Sequence, residues 1–392
     1  MTLLSFAPGP TQLHPVVPDE LRRMAADGYL SESHRSPAVR GEVARLNEAL
    51  STLLGIPADH RILLVGSATE AMERILQGCV EGRSLHLVNG AFARRFHAIA
   101  RGLGLEAGSL EVPDGQGFRS REVMIPEGTE LLAMTQNETS TGARIPPAEV
   151  HLLADRVRGA GGLVAVDLVT GWPTEPVDPA RIDAGFFSVQ KGFGLPAGLG
   201  VIVASPALVE RARERQGRGR AVGPFFHLSA LADAAERHET VATPNTLAIR
   251  LLARVAEAYV AEGPGGLARR AEEGFGRWWE AVASLGLAPF VADEEVRSRT
   301  VAVVTRAGGT GLGGAAAQGE VARDGAALDG AALDVAAQGT DALRSRLRRR
   351  GFVVGDGYGP WKGKHLRVAH FPVQTPVMQA ALLDALRSEL PG

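Results

Sequence analysis

Only three lysines occur in this 392-residue chain, Lys191, Lys362 and Lys364, so of its 42 lysine and arginine side chains 39 are arginine. Where a positive charge alone is needed, the chain uses guanidinium. A guanidinium stays protonated, whereas a desolvated amine can lose its proton and attack a carbonyl to form a Schiff base. Lys191, in SVQKGFG at 188–194, is therefore a candidate nucleophile; the plainer reading is an ordinary surface charge.

Short apolar runs alternate with longer amphipathic ones on either side of it. RILLVG (61–66), SLHLVNG (84–90), ELLAMTQ (130–136), GLVAVDLV (162–169), GFFSVQK (185–191) and GLGVIVAS (198–205) have the character of buried strands. Helical patterns accompany them, such as Val43, Leu46, Leu50, Leu53 and Leu54 ahead of the first run. The alternation predicts a doubly wound, mostly parallel α/β sheet, whose ligands bind beyond the carboxyl ends of its strands.

The residues at those ends form a consistent set. GSATEAM follows the first run as a Gly-led turn into a helix, whose free N–H groups and dipole suit a phosphate. NGAF places Phe92 on the same rim, QNETSTG adds hydroxyls, and Asp167, Gln190 and Lys191 complete it. A phosphate seat, an aromatic ring, a carboxylate and one amine are what pyridoxal 5′-phosphate requires: the lysine takes the aldehyde, and the aspartate keeps the pyridine nitrogen protonated so that the ring acts as an electron sink. Taken singly, each has a structural reading: the Gly-Ser turn as a helix cap, Phe92 as core, Asp167 as a cap, NETSTG as a polar loop.

Bulk properties narrow the class. A net charge of −2 and 45% apolar residues give no case for nucleic acid or an anionic membrane as partner. No apolar run is long enough to span a bilayer, and MTLLSFAPGP lacks a charged leader segment, so the sequence predicts a cytoplasmic protein. A single cysteine, Cys79, excludes an intramolecular disulfide framework and a cysteine metal cage.

FAPGP, SHRS (33–36), GSAT, NGAF, NETSTG, the Asp167 strand, SVQKGFG, TPNT (243–246) and LRVAHFP (366–372) together resemble the class V, fold-type I pyridoxal-phosphate aminotransferases, and within them the phosphoserine aminotransferases. The resemblance implies a large cofactor-binding domain over 15–250 with a seven-stranded, mostly parallel sheet, and a smaller α/β domain from 1–14 and 251–392. It implies that Lys191 holds the cofactor aldehyde and shuttles the proton, that Asp167 pairs with the ring nitrogen, and that Phe92 stacks on the ring. Thr139 and Gln190 would lie near its phenolic oxygen, with Ala68 and Thr69 on its phosphate, helped by Thr243 from a second subunit. Arg367 would take the substrate carboxylate, and His34 and Arg35 its distal anionic group. The partners implied are an amino acid, a keto acid and a second copy of the chain in a homodimer with shared sites; the activity implied is transamination of phosphoserine with 2-oxoglutarate in serine biosynthesis.

Three positions depart from the pattern: Ala242 stands where Asn is usual, Phe92 where Trp is frequent, and GPWKGKHLR lacks a His-Arg pair before Arg367. Lys362 or Lys364 could supply the missing charge or be solvated loop charges. The alternative within the class is an alanine or serine:glyoxylate aminotransferase acting on a small unphosphorylated amino acid. A cysteine desulfurase would need a nucleophilic cysteine on a late loop, and Cys79 lies in the first helix after the phosphate turn. The Ala/Gly-rich stretch 306–340 reads as a flexible insertion. Its Gly309, Gly311 and Gly314 match a dinucleotide-loop spacing, but with 48 glycines in the chain about 0.7 such matches arise by chance.

Overall fold

The computed structural model of the protein describes residues 3–218, 223, 225–263, 265–306 and 330–390. The strands are β1 (Leu4–Phe6), β2 (Arg61–Val65), β3 (Arg83–Val88), β4 (Glu106–Glu111), β5 (Thr129–Thr135), β6 (Asn137–Glu138), β7 (Ala143–Arg144), β8 (Leu163–Asp167), β9 (Ala184–Ser188), β10 (Gly200–Ala204), β11 (Leu287–Pro289), β12 (Val301–Arg306), β13 (Phe352–Asp356) and β14 (Leu366–Ala369). Seven form one sheet in the order β2-β10-β9-β8-β5-β3-β4. All neighbouring pairs are parallel except those of β10, which runs antiparallel to both β2 and β9.

Side chains that alternate along these strands enter two different cores, as a period of two demands. Leu132, Met134, Val164 and Val166 pack with the helices Pro37–Leu54, Pro147–Gly159 and Thr246–Val260. Leu131, Ala133, Leu163 and Ala165 pack with Ala68–Cys79, Ala91–Gly102 and Pro206–Gly217. Because the sheet is covered on both faces, its strands read as continuous apolar runs. The seventh, β4, is a polar edge strand (EAGSLE), which no apolar run announces.

A second sheet has the order β1-β13-β14-β12-β11. In β12, Ala302 and Val304 face a core with the helices Gly266–Ala283 and Pro376–Glu389, while Val301 and Val303 face Ala143 of the β6–β7 hairpin. β1 pairs in parallel with β13, Leu4 opposite Phe352. The helix Gly330–Arg349 begins within the stretch read as an insertion, so its last third is helical; the three glycines at dinucleotide spacing lie outside the described residues. Among the described residues no helix is long and apolar enough to cross a membrane.

A charged cluster braces the segment bearing His34 and Arg35. Glu20, 1% exposed, accepts from Arg250 Nε at 2.6 Å, while Arg250 also reaches Asp27 at 2.7 Å. Arg254 pairs with Glu42 at 2.6 Å and lies 3.6 Å from Glu20. The Arg250 guanidinium sits 4.7 Å over the ring of Tyr29, whose hydroxyl donates to the Thr246 carbonyl at 3.3 Å. The turn after Tyr29 and the turn before Thr246 are thereby fixed to one another. Removing one partner of a buried ion pair strands the other, at a cost of about 3 kcal/mol. Arg250→Ala should lower stability by about that amount, read as a drop in the denaturation midpoint; an unchanged midpoint would show that the cluster is solvated.

Candidate active site

The parallel strands put their carboxyl ends on one rim. Lys191 lies three residues beyond β9, and the loop after it is pinned to the N-terminal segment: the Gln190 carbonyl accepts from Thr11 N–H at 3.1 Å, and the Gly194 carbonyl from His14 N–H at 2.8 Å. The amine donates to the Pro8 carbonyl at 2.8 Å. Gly9, with φ +150°, passes so close that a Cβ there would stand 2.0 Å from Lys191 Nζ; only glycine fits between Pro8 and Pro10. Burial under this loop, aided by the charge of Arg367 and opposed by Asp167, lowers the amine's pKa to about 8.

Asp167 ends β8 and is 4% exposed. Its Oδ1 accepts from Val169 N–H at 2.9 Å, and among the described residues it has no ion-pair partner. Burial pushes its pKa up to about 7; the Glu138 charge acts the same way, while the Val169 hydrogen bond, Lys191 and Arg95 act against it. Beside Lys191, the amide oxygen of Gln190 is buried with no hydrogen-bond partner. Thr139 Oγ1 lies 3.1 Å from Thr170 Oγ1, which also accepts from Asn137 Nδ2 at 2.8 Å.

Glu138 organises the opposite side. It is fully buried, and its carboxylate accepts from Phe92 N–H, Ala93 N–H and Ser140 N–H, each at 3.0 Å, and from the Ser140 hydroxyl at 2.6 Å. Burial nonetheless pushes its pKa upward. The carboxylate sits at the amino end of the helix Ala91–Gly102, where the first N–H groups lack helical partners. Gly90 makes the approach feasible, since a Cβ there would fall 2.4 Å from Glu138 Cγ. Phe92, so held, has Tyr358 at 5.3 Å between ring centroids and the Arg95 guanidinium at 5.3 Å from its own centroid. Arg367 donates to the Thr139 carbonyl at 3.1 Å and to the Asp356 carbonyl at 2.5 Å, and burial lowers its pKa.

At the turn after β2, Ser67 caps the helix, accepting from Glu70 N–H at 3.1 Å, and Glu70 accepts from Gly66 N–H at 2.8 Å. The Ala68 N–H donates to Ser188 Oγ at 2.8 Å. Among the described residues this leaves the N–H groups of Ser67 and Thr69 without an acceptor, so Thr69 rather than the amide of Ala68 is free to meet an anion. His34 and Thr243 come together, Nδ1 to Oγ1 at 3.4 Å, with Arg35 exposed beside them. Among the described residues, neither His34 nor Thr243 bonds to the residues around Lys191 within the chain. Lys364 lies 5.7 Å over the ring of Trp361, and both loop lysines are exposed. Cys79 is buried in the core, its thiol pushed up to about 12 by burial and directed at the Leu208 carbonyl.

Gly9, Glu138, Arg95 and Tyr358 were not singled out by sequence reasoning. Glycine between two prolines and a glutamate inside an otherwise neutral polar loop were the available signals; for Arg95 and Tyr358 there was none, because their contact joins segments far apart in the chain. Gly9→Ala should push the 7–10 loop off Lys191 and rehydrate the amine. With three lysines in the chain, acylation of the Lys191 peptide can be followed by mass spectrometry, and its pH midpoint should move up from about 8 towards the ordinary lysine value near 10.4. An unmoved midpoint would mean that the loop does not bury the amine.

The model of the family Aminotransferase class-V matches residues 4–272. The phosphoserine aminotransferase of Nocardioides sp. is 30% identical over 393 residues, covering 97% of this chain and 94% of that protein. A putative phosphoserine aminotransferase of Mycobacterium avium is 31% identical over 304 residues, 76% of this chain and 79% of that one. Among solved structures, a phosphoserine aminotransferase from Cytophaga hutchinsonii superposes with a TM-score of 0.88 at 29% identity over 99% of each chain. The ureidoglycine–glyoxylate aminotransferase of Bacillus subtilis shares the fold, with a TM-score of 0.79 at 22% identity over 99% of this chain and 93% of that one. With the family model spanning more than half of its residues and relatives matching nearly its full length, the chain belongs to the class V aminotransferases.

Proposed function

We propose that this aminotransferase uses pyridoxal 5′-phosphate to exchange the amino group of phosphoserine with 2-oxoglutarate, in serine biosynthesis. The observation that carries the cofactor reading is the pair of Lys191 and Asp167: a desolvated amine and, on the neighbouring strand end, a buried carboxylate without a cationic partner among the described residues. The residues fit the group. Asp167 suits a protonated ring nitrogen, Phe92 offers a ring face, Thr69 offers a free N–H at a helix start, and the orphaned Gln190 amide oxygen is a buried polar atom that a bound polar group would satisfy.

When bound, pyridoxal phosphate supplies the electron sink for bond breaking at the substrate's α carbon. The chain supplies the rest. Lys191, with a pKa near 8, is neutral in an appreciable fraction at physiological pH and is placed to take and return the α proton. Asp167 holds positive charge in place. Arg367 presents its guanidinium to the carboxylate, a match of fork to fork, and the Pro8–Gly9 loop keeps water from the amine.

The phosphoserine reading is supported by relatives of that name along the full chain and by arginine at two separate positions, Arg35 and Arg367, as a doubly anionic substrate would need. Of the domain division into 15–250 and 1–14 with 251–392, the grouping of 1–14 with the C-terminal part is supported by β1 joining the second sheet, while the helix Thr246–Val260 packs on the large sheet and moves that boundary beyond Val260. We also propose the homodimer: His34, Arg35 and Thr243 form a braced, exposed group on the chain, beside an exposed Leu30, and would complete the site of a second copy.

Three sets of variants test these readings. Lys191→Arg keeps the charge but cannot form a Schiff base, so it should lose the visible absorbance of bound cofactor and all turnover; in the unsubstituted enzyme phosphoserine should be far preferred over serine. Arg35→Ala should weaken phosphoserine by roughly 1.5–3 kcal/mol beyond its effect on serine. Equal losses for both would favour a small unphosphorylated amino acid. For the dimer, Lys191→Ala and Arg35→Ala are each deficient alone, and a mixture of dissociated and reassociated subunits should regain activity, because each heterodimer contains one site with both residues intact. No recovery would sink the shared site.

A further inference from the structure

The arginines around the rim divide by whether a carboxylate neutralises them. Arg94 pairs with Glu111 at 3.5 Å, Arg144 with Glu175 at 2.9 Å and Arg344 with Asp356 at 3.3 Å. Arg35, Arg95 and Arg367 have no such partner among the described residues. The first and last are the two assigned above to substrate anions. Arg95 shares their condition, and no role has been given to it.

Its placement is specific. One turn into the helix Ala91–Gly102, its guanidinium lies over Phe92, and Nη2 donates to the Tyr358 hydroxyl at 3.4 Å. The other guanidinium, Arg367, lies 5.3 Å from the centroid of the same tyrosine ring. Tyr358 therefore stands between two unneutralised guanidinium groups, Arg367 partly buried at the ring and Arg95 exposed at its hydroxyl, and sets their spacing. The charge of Arg95 reaches the centre of the site, since it is felt at Asp167. By contrast, Lys364 is drawn over Trp361, whose indole N–H is bonded to Asp114 at 2.7 Å and whose ring stacks on His365 at 4.8 Å. The loop lysines are thus poorer candidates for a cation at this spot.

We propose that Arg95, with the Tyr358 hydroxyl, is a specificity residue: while Arg367 holds the substrate carboxylate, Arg95 binds an oxygen of the distal phosphate. The inference rests on the phosphoserine reading above. A guanidinium that is solvated in the free protein and pairs with a dianion on binding discriminates against substrates that lack the anion, because nothing replaces the lost contact.

The test compares the full-length cofactor-loaded enzyme with Arg95→Gln and Arg95→Lys. Arg95→Gln should lower the ratio of kcat/KM for phosphoserine to that for serine by about tenfold to a hundredfold, mostly through KM, as expected for an interaction present in both ground and transition states; Arg95→Lys should restore part of it. A second readout avoids turnover: calorimetric binding of 3-phosphoglycerate, which carries neither amine nor ketone, should weaken by a similar factor in Arg95→Gln, with glycerate binding little changed. Equal losses for both substrates, together with an altered visible spectrum of the bound cofactor, would overturn the proposal and make Arg95 a prop for Phe92. Absence of any preference for phosphoserine in the unsubstituted enzyme would overturn the function reading itself, and is seen before any variant is made.

Discussion

Burying a carboxylate is costly unless its oxygens meet donors, and the rim of this enzyme is built around one that does. Glu138 accepts four hydrogen bonds from two segments, the start of the helix after β3 and the hairpin that contains Glu138 itself. Because those bonds fix the first turn of the helix, they fix Phe92 and, a turn later, Arg95. Because they fix the hairpin, they fix the Thr139 carbonyl to which Arg367 donates, and through Arg367 the strand β14 of the second sheet. Candidate-site groups from both sheets are thus referred to one buried carboxyl.

The amine obeys the opposite logic. Lys191 has one hydrogen bond, to the Pro8 carbonyl, and no carboxylate in ion-pair contact among the described residues; its burial is under-compensated, which is what makes it a base near neutrality. A fully satisfied lysine would be a better structural element and a worse reagent. The site therefore joins a compensated carboxylate, which gives rigidity, to an under-compensated amine and an under-compensated Asp167, which suit the reactive roles proposed for them.

Much of this was legible in the sequence, for a reason that also explains what was not. The strands β2, β3, β5, β8, β9 and β10 stand out as apolar runs because both faces of the sheet are covered, and the residues at their ends, Asp167, Gln190 and Lys191 among them, follow from the rule that ligands bind there. The polar edge strand β4 escaped, since only one of its neighbours is a strand and its burial is partial. The helix starting at Gly330 is hidden in the sequence because the alanine and glycine of its first turns carry no amphipathic pattern. In the sequence Glu138 is only part of a polar loop: its importance comes from the distant N–H groups aimed at it, and local spacing does not encode them. The same holds for the Arg95–Tyr358–Arg367 arrangement, which exists only once the two sheets are packed.

The N-terminal strand β1 has a temporal meaning as well. Its partner, β13, is made long after it, so residues 4–6 must wait for Phe352–Val354 before they can pair, a contact of very long sequence separation. The loop over Lys191 leads directly out of β1; its far end is held by Thr11 and His14 against the lysine's own segment, but its near end is anchored only then. A nascent chain thus carries its large sheet and its lysine before both ends of the loop over the amine are held, and the shield is completed by the second sheet.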